Sequence, residues 1–244
     1  MLAIDQGNSS AKLAWFDLSG NIIRRERLEI DRGISRTDFL RLLSEKGVEN
    51  GLYEAAYLSS VVPELTPLWV ELAHVKVIDN SWELPIKAMN KETSGTDRLM
   101  AAVAAADKKN LPAIIVSFGT ATVVDGINEN GDFIGGMIAP GIITAIDALG
   151  EKASQLFGVY DIDRPQNPFG ADTLEALKSG IFYHTLGSVT AMIKAVGSAF
   201  EKPPVIYLTG GMAEKIAPHL PVKAAVDKDL VLRGIYLTAN YKGL

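Results

Sequence analysis

The sequence predicts an α/β protein whose chain contains two similarly built halves. Short apolar runs alternate with amphipathic stretches, which is the pattern of strands joined by helices. Apolar residues make up 48% of the 244 residues and charged residues 22%, so the chain can bury a substantial core. The segment around Asp5 resembles the segment around Ser117, 112 residues later, in its order of strand, polar turn and strand. A spacing close to half the chain indicates an internal duplication.

Each half is predicted to open with a three-stranded meander. Residues 2–4 form an apolar run, residues 7–10 have turn chemistry, and a second apolar run covers residues 13–16. Residues 22–30 mix apolar and charged positions, as an outer strand does. The matching strands of the second half are predicted at residues 114–116, 121–124 and 133–134.

The rest of the chain alternates between the two kinds of element. Helices are predicted over residues 36–46, 97–109, 173–187 and 189–200, and strands over residues 55–62, 75–78 and 205–208. The boundary between the halves is predicted near residues 89–98. This gives an N-terminal domain of residues 1–95 and a C-terminal domain of residues 96–244.

Composition argues against several classes of function. The net charge is −5 and Lys and Arg are scattered, so nucleic acid is not an expected partner. No apolar stretch reaches the roughly 18 to 20 residues of a membrane span, and no basic leader precedes the first strand. The chain has no Cys, which excludes disulfides and thiolate chemistry. We therefore expect a cytoplasmic protein that binds neither membrane nor nucleic acid.

The turn at residues 5–12 has the residue types of a phosphate-binding loop. Asp5 ends the first strand, Gly7 lets the backbone approach a ligand, and Lys12 follows on the next strand. Backbone N–H groups would donate to phosphate oxygens, Lys12 would neutralise charge, and Asp5 would hold Mg²⁺ through water. An ordinary hairpin with a polar turn explains the same segment without a ligand. The candidate nucleotide-binding residues here are Asp5, Gln6, Gly7, Asn8, Ser9, Ser10, Ala11 and Lys12.

Two glycine-containing segments of the second half suit the same ligand. After Ser117, Gly119 frees the backbone and Thr120 offers a hydroxyl, so this turn would form the second half of a polyphosphate clamp. Gly210 and Gly211 follow a predicted strand and would leave bare backbone for a flat adenine ring. Close strand packing and a plain strand-to-helix turn are the alternative explanations.

A carboxylate and a guanidinium group stand at the start of an alanine-rich helix, in the segment Gly95-Thr96-Asp97-Arg98. Asp97 lies at or near the helix N-cap, so one interpretation is a purely structural capping role. The other is that Asp97 accepts the proton of an attacking hydroxyl while Arg98 binds an anionic group of the substrate. The residues alone leave both interpretations open.

Together the four segments resemble the signatures of the type III pantothenate kinases, within the superfamily of acetate and sugar kinases, heat-shock chaperones and actin. Residues 5–12 match the Asp-x-Gly-Asn-x-x-x-Lys phosphate motif, and residues 95–98 match the Gly-x-Asp-Arg motif. Residues 117–122 match the second phosphate motif, and residues 209–211 match the adenosine motif. The resemblance implies two tandem ribonuclease H-like, or actin-like, domains with an interdomain nucleotide cleft.

The same resemblance implies an activity and a set of site residues. The protein would transfer the γ-phosphate of ATP to the primary hydroxyl of pantothenate, giving 4'-phosphopantothenate in the first step of coenzyme A synthesis. Asp97 would be the catalytic base, Mg²⁺ and a monovalent cation (K⁺ or NH₄⁺) would accompany ATP, and the protein would be a homodimer. The implied pantothenate-binding residues are Gly95, Thr96, Asp97, Arg98 and Thr173. The implied nucleotide-binding residues of the second half are Gly119, Thr120, Gly210 and Gly211.

Two places depart from the family pattern. The second phosphate motif usually begins with an Asp that helps to hold the monovalent cation, whereas this chain has Ser117. The family also tends to have a Tyr and a Pro upstream of Gly-x-Asp-Arg, where this chain reads Ala88-Met89-Asn90-Lys91-Glu92. These departures keep two alternatives open: a nucleotide-binding regulator with weakened catalysis, and a kinase of another small hydroxy acid.

Overall fold

The computed structural model describes residues 1–48, 53–152 and 162–241. The chain forms two compact units, one of Met1–Lys108 together with Asp229–Leu244, and one of Lys109–Lys228. The sequence predicts a boundary between the duplicated halves at residues 95 and 96. The division into compact units does not test where the duplicated halves meet, so this boundary stays a prediction. Among the described residues, no helix is long and apolar enough to cross a membrane.

The first unit is built on a mixed sheet. Its strands are β1 (Leu2–Gln6), β2 (Ser10–Phe16), β3 (Ile22–Glu29), β4 (Ala56–Ser60) and β5 (Val75–Val77). Over the described residues they pair in the order β3-β2-β1-β4-β5. The first three strands form the predicted antiparallel meander, and β4 and β5 add in parallel. Because β1 is central, every residue in it is buried, which explains its apolar run.

Helices from both ends of the chain complete the first unit. They are α1 (Arg36–Glu45), α2 (Thr66–Val70), α3 (Thr96–Asp107) and, in chain order the last, α7 (Leu230–Asn240). Ser35 caps α1 through its hydroxyl. The buried rings of Phe39 and Trp69 meet edge to face, 5.0 Å between centroids. α7 packs against α3, and Gly234 permits this contact because a Cβ there would overlap the backbone of Met100.

The second unit repeats the strand order of the first. Its strands are β6 (Ala113–Phe118), β7 (Ala121–Ile127), β8 (Phe133–Pro140), β9 (Val205–Gly210) and β10 (Ala225–Val226). Over the described residues they pair in the order β10-β9-β6-β7-β8, again an antiparallel meander of three with two parallel strands. Asp5 and Ser117 each stand one residue before the end of the first strand of their sheet. The predicted α/β fold with two similar halves is therefore confirmed.

The helices of the second unit are α4 (Ile142–Lys152), α5 (Thr173–Gly197) and α6 (Ala213–Ile216). The prediction of separate helices over residues 173–187 and 189–200 is wrong, because α5 runs without interruption through Gly187. A glycine inside a helix costs only about 1 kcal/mol relative to alanine. Phe182, Val189 and Ile193 lie in one buried apolar cluster on both sides of that glycine, so packing keeps the helix continuous.

Candidate active site

The turn between β1 and β2 places a carboxylate opposite an ammonium group. Asp5 and Lys12 are direct partners in the antiparallel pair, and Lys12 Nζ lies 4.0 Å from Asp5 Oδ2. The Gly7 N–H donates to the Ser10 carbonyl oxygen at 3.0 Å, which closes the turn. Asp5 is only 7% exposed. The predicted phosphate loop is thus a tight turn that carries one charged pair at the end of a buried strand.

The environment of Asp5 raises the pKa of its carboxyl group. Burial raises the pKa of Asp5 to about 6, because a charged carboxylate loses its hydration there. The nearby ammonium group of Lys12 lowers this pKa, and the negative charge of Asp97 raises it. The influence of Asp97 shows that the two carboxylates are close enough for their charges to interact.

Asp97 lies in the first turn of α3, whose N-cap is Gly95. Its Oδ1 atom accepts the backbone N–H of Arg98 at 2.8 Å. Burial raises the pKa of Asp97, while the Arg98 N–H, the Arg98 guanidinium group and Lys12 lower it. A Cβ at Gly95 would stand 2.6 Å from Asp97 Oδ1, so any larger residue there would require this carboxylate to move. Asp5, Lys12, Asp97 and Arg98 therefore form one charged cluster in the first unit.

A pair of hydroxyls anchors the start of α3 to the sheet. Ser59 Oγ donates to Thr96 Oγ1 at 2.9 Å, and Ser59 is completely buried. Ser59 is also the direct partner of Asp5 in the parallel pair of β1 and β4. The position of Asp97 relative to Asp5 is thus tied to strand pairing. Sequence reasoning missed Ser59, because nothing in the local pattern distinguishes it from an ordinary strand serine.

The predicted loop residue Gln6 supports the turn from inside. Its side chain is fully buried, and its Oε1 accepts the Trp69 indole N–H at 2.9 Å. Its Nε2 donates to the Gly7 carbonyl oxygen at 2.8 Å. The side chain is therefore occupied by protein partners, and any contact of Gln6 with a nucleotide would have to come from its backbone. Trp69 is a second supporting residue that the sequence did not reveal.

Protonation of Asp5 should make stability depend on pH. Between pH of about 4 and 6, the native state keeps the Asp5 proton that the unfolded chain, with an ordinary pKa of 3.8, has released. Raising the pH through this window therefore favours unfolding. Relative to Asp5→Asn, the parent should lose about 3 kcal/mol of unfolding free energy, the equivalent of this shift. Asp97, whose pKa is also raised, acts in the same direction.

Chemical denaturation at several pH values measures this effect. Asp38→Asn is the matched control, since Asp38 is an exposed aspartate of α1 in the same unit. This variant should keep the pH dependence of the parent. If Asp5→Asn kept it as well, the proton would belong to another group.

In the second unit, the turn between β6 and β7 carries the second phosphate motif. The Gly119 N–H donates to the Ala121 carbonyl oxygen at 3.0 Å, which closes the turn. The Thr120 carbonyl oxygen accepts the Gly141 N–H at 3.0 Å and the Thr144 hydroxyl at 2.7 Å. These two donors hold the turn from the start of α4. The side chain of Thr120 stays exposed and available to a ligand.

The glycine pair of the adenosine motif lies beside this turn. In the parallel pair of β6 and β9, Phe118 is the direct partner of Gly210, and the Gly211 N–H donates to the Phe118 carbonyl oxygen at 2.9 Å. Gly210 has a φ of +91°, and a Cβ there would overlap the Phe118 backbone. A Cβ at Gly211 would meet no atom within 4 Å. The structure thus brings two predicted motifs of the second unit together.

Thr173 is the first residue of α5 and is exposed. Asp172 caps this helix, since its Oδ1 atom accepts the Glu175 N–H at 2.8 Å. Like the turn at residues 117–122 and the glycine pair, Thr173 belongs to the second unit. The cluster around Asp97 belongs to the first.

Asp5 has the chemistry of a magnesium ligand. Mg²⁺ prefers oxygen ligands, keeps several waters, and is held by one or two carboxylates together with substrate phosphates. Asp5 supplies a carboxylate, and Asp97 supplies a second one in the same cluster. The residues present therefore fit the ion.

Comparison with known protein families decides the family of this chain. A family model described as type III pantothenate kinase matches residues 1–195 of the chain. The chain belongs to the type III pantothenate kinase family. The resemblance drawn from the motifs is confirmed, and the protein is a member of a family of kinases.

Relatives of this family match nearly the whole chain. A type III pantothenate kinase from Desulforapulum autotrophicum is 32% identical over 259 residues, covering 98% of this chain and 96% of the relative. Another, from Rhodospirillum centenum, is 35% identical over 255 residues, covering 97% of each protein. The similarity to type III pantothenate kinases thus extends over nearly the whole chain.

Solved structures show the fold. The activator of the 2-hydroxyisocaproyl-CoA dehydratase from Clostridium difficile, solved with bound ADPNP, gives a TM-score of 0.60 at 10% identity, over 98% of this chain and 94% of that chain. The ethanolamine utilization protein EutJ from Carboxydothermus hydrogenoformans gives 0.59 at 14% identity, over 97% and 89%. The predicted actin-like α/β fold is therefore confirmed for this type III pantothenate kinase family member.

Proposed function

We propose that the protein phosphorylates pantothenate with ATP, the first step of coenzyme A synthesis. The observation that carries this proposal is the charged cluster of Asp5, Lys12, Asp97 and Arg98 in a chain of the type III pantothenate kinase family. Phosphoryl transfer needs positioned cations and an acceptor for the hydroxyl proton, and this cluster contains both.

In the proposed reaction, the primary hydroxyl oxygen of pantothenate attacks the γ-phosphorus of ATP. A new oxygen–phosphorus bond forms, the bond to the β-phosphate oxygen breaks, and its electron pair leaves with ADP. Asp97 accepts the hydroxyl proton, and the raised pKa of this carboxyl supports its role as a base. Arg98 binds the carboxylate of pantothenate. Mg²⁺, contacted by Asp5 through water, would neutralise charge on the phosphates.

The remaining site residues are proposed by their motifs. Lys12 and the backbone of residues 7–10 would bind phosphate, and Thr120 would contact ATP from the second unit. Gly210 and Gly211 would accept the adenine ring, and Thr173 would contact pantothenate. The exposure of Thr120 and the open space at Gly211 support the nucleotide assignments.

A direct assay tests the activity. ADP release is followed with pantothenate and, separately, with a panel of small hydroxy acids at the same Mg·ATP concentration. Pantothenate should give the highest kcat/KM. Faster turnover of another acid would favour the alternative substrate, and nucleotide binding without turnover of any acceptor would favour a regulatory protein. The departure from the family pattern at residues 88–92 makes this comparison necessary.

The position of Ser117 leads to a proposal about monovalent cations. A neutral hydroxyl stands where the resemblance leads one to expect a carboxylate. Loss of one opposite charge at contact distance, worth on the order of 1 to 4 kcal/mol, should weaken K⁺ binding about tenfold or more. We expect the parent to depend little on K⁺ or NH₄⁺, or to work poorly in any salt, and Ser117→Asp to gain or strengthen activation by K⁺.

Titration of K⁺ against Na⁺ at constant ionic strength, with ADP production as the readout, compares the two proteins. Ser198→Asp adds the same charge at the C-cap of α5 and is the control. Strong activation of the parent that Ser117→Asp leaves unchanged would mean that other groups hold the ion.

A homodimer and a cytoplasmic location complete the proposal. Met137 and Ile138 are exposed on β8, an edge strand of the described sheet, and these apolar side chains support contact with a second copy. Sedimentation of the purified protein measures the oligomeric state, and fractionation of cells measures the location. A monomer at micromolar concentration would contradict the dimer.

A further inference from the structure

Arg32 reaches the candidate phosphate turn from a different part of the chain. Its guanidinium group donates to Asn8 Oδ1 at 2.5 Å. Asn8 lies at the tip of the turn between β1 and β2, and Arg32 lies in the loop between β3 and α1. None of the motifs described above includes Arg32. Its guanidinium group adds a positive charge at this turn, besides that of Lys12.

Strand pairing explains why Arg32 lies there. In the antiparallel pair of β2 and β3, Ser10 is the direct partner of Glu29, so the loop after β3 begins beside the turn that precedes β2. Asp31 shapes this loop, because its Oδ1 accepts the Gly33 N–H at 2.7 Å and its carbonyl oxygen accepts the Ile34 N–H at 3.1 Å. A short loop between two regular elements thus holds Arg32 near the tip of the turn.

The guanidinium group of Arg32 has donors left for a ligand. A guanidinium carries five N–H donors, and Asn8 takes one of them. Among the described residues, no carboxylate pairs with Arg32, although the side chain is exposed. By contrast, neighbouring arginines of this unit are paired: Arg27 with Glu29, Arg36 with Glu71 and Arg41 with Asp38. Planar guanidinium groups suit bidentate contact with phosphate oxygens.

The charge balance of the site also supports contact between Arg32 and a phosphate group. In the cluster, the carboxylates of Asp5 and Asp97 balance the positive groups of Lys12 and Arg98. A polyphosphate brings further negative charge, and Arg32 supplies a positive charge in addition to that of the Mg²⁺ proposed above. An arginine in this position can therefore stabilise charge that develops on a transferred phosphoryl group.

We propose that Arg32 is a further catalytic residue, which contacts the terminal phosphate of ATP bound at the turn of residues 5–12. This inference rests on the proposed kinase function. Arg32 neither gives nor takes a proton. It stabilises the γ-phosphoryl oxygens while the bond to ADP breaks and the bond to the acceptor oxygen forms.

The test compares ligands that differ in the terminal phosphate. Binding of Mg·ADP and of a non-hydrolysable Mg·ATP analogue is measured by calorimetry for the parent, Arg32→Gln and Arg41→Gln. Arg41 is the matched control, since it is an exposed arginine of the same unit that pairs within α1. Arg32→Gln should bind the ATP analogue about tenfold or more weakly and ADP within about twofold, because contacts of charged donors to phosphate are strong. Its kcat should fall about 10- to 100-fold.

Two more variants separate contact with phosphate from support of the turn. Arg32→Lys keeps a charge without the planar fork and should restore part of the lost affinity for the ATP analogue. Asn8→Ala removes the acceptor of Arg32 and should cost less kcat than Arg32→Gln. Equal losses of ADP and ATP-analogue affinity in Arg32→Gln would mean that Arg32 only shapes the turn. If Arg32→Gln lost affinity for neither ligand, the contact of Arg32 with Asn8 would be only a surface hydrogen bond. Either of these two results would overturn the proposal.

The acceptor assay keeps the two proposals distinguishable. If the parent binds the ATP analogue but does not phosphorylate pantothenate, the proposed substrate is wrong. The comparison of ADP affinity with ATP-analogue affinity still tests the role of Arg32. If the parent binds neither nucleotide, the nucleotide site itself is wrong, and the role of Arg32 falls with it. Thermal unfolding of each variant checks that the exposed substitution leaves the fold intact.

Discussion

Asp97→Asn is expected to lower kcat by at least about 100-fold while leaving the affinity for Mg·ATP nearly unchanged. The amide keeps the size of the carboxylate and can still accept the Arg98 N–H that Asp97 Oδ1 accepts at 2.8 Å. It cannot take the proton of the attacking hydroxyl. Steady-state kinetics with pantothenate and nucleotide binding by calorimetry measure the two quantities separately.

Asp107→Asn is the matched control, since Asp107 ends the same helix and is exposed. It should keep the parent's kcat. Gly95→Ala gives a second route to the same result, because its Cβ would stand 2.6 Å from Asp97 Oδ1 and displace the carboxylate. A kcat of Asp97→Asn within about threefold of the parent would rule out Asp97 as the base.

Alanine substitutions at the adjacent Gly210 and Gly211 should change different properties. The first should lower the free energy of unfolding, and the second should raise the KM for ATP. Gly210→Ala forces a side chain onto a residue with φ of +91° and into the Phe118 backbone, so the pairing of β6 and β9 must shift. We expect a loss of about 3 kcal/mol or more in unfolding free energy. Gly211→Ala meets only open space and should change this energy by less than about 0.5 kcal/mol.

Gly211→Ala should instead raise the KM for ATP about tenfold, because its methyl group occupies the space proposed for adenine. Chemical denaturation gives the stability of both variants, and kinetics at saturating pantothenate gives the KM. Gly187→Ala, at another glycine with no atom near its missing Cβ, controls for the added methyl group. An unchanged KM in Gly211→Ala would place adenine elsewhere.

Local patterns predicted the parts of the fold that depend on short segments. The turns at residues 5–12 and 117–122 were found because each combines a strand end, a glycine and polar residues in a few positions. The similarity of the halves was visible for the same reason, and the two sheets have the same strand order. The helix that begins beside Asp97 was predicted because alanine-rich segments favour helix whatever packs on them.

Contacts between distant residues were not predictable from such patterns. Trp69 and Gln6 are 63 positions apart, and the indole N–H has no local signature that identifies its acceptor. Arg32 and Asn8 meet only because the register of β2 and β3 brings two loops to one edge. The continuity of α5 through Gly187 likewise depends on a buried apolar cluster rather than on helix propensity. Propensity is a weak guide wherever tertiary packing decides.

The return of the chain to the first unit affects how the protein is made. α3 packs against α7, and all of Lys109–Lys228 is synthesised between them. Ribosomes add about 5–20 residues per second, so α3 waits on the order of ten seconds for its partner. During translation all residues of the second unit, which is continuous in sequence, are synthesised before the first unit is complete. The nascent chain therefore carries α3 with an uncovered apolar face until α7 has been synthesised.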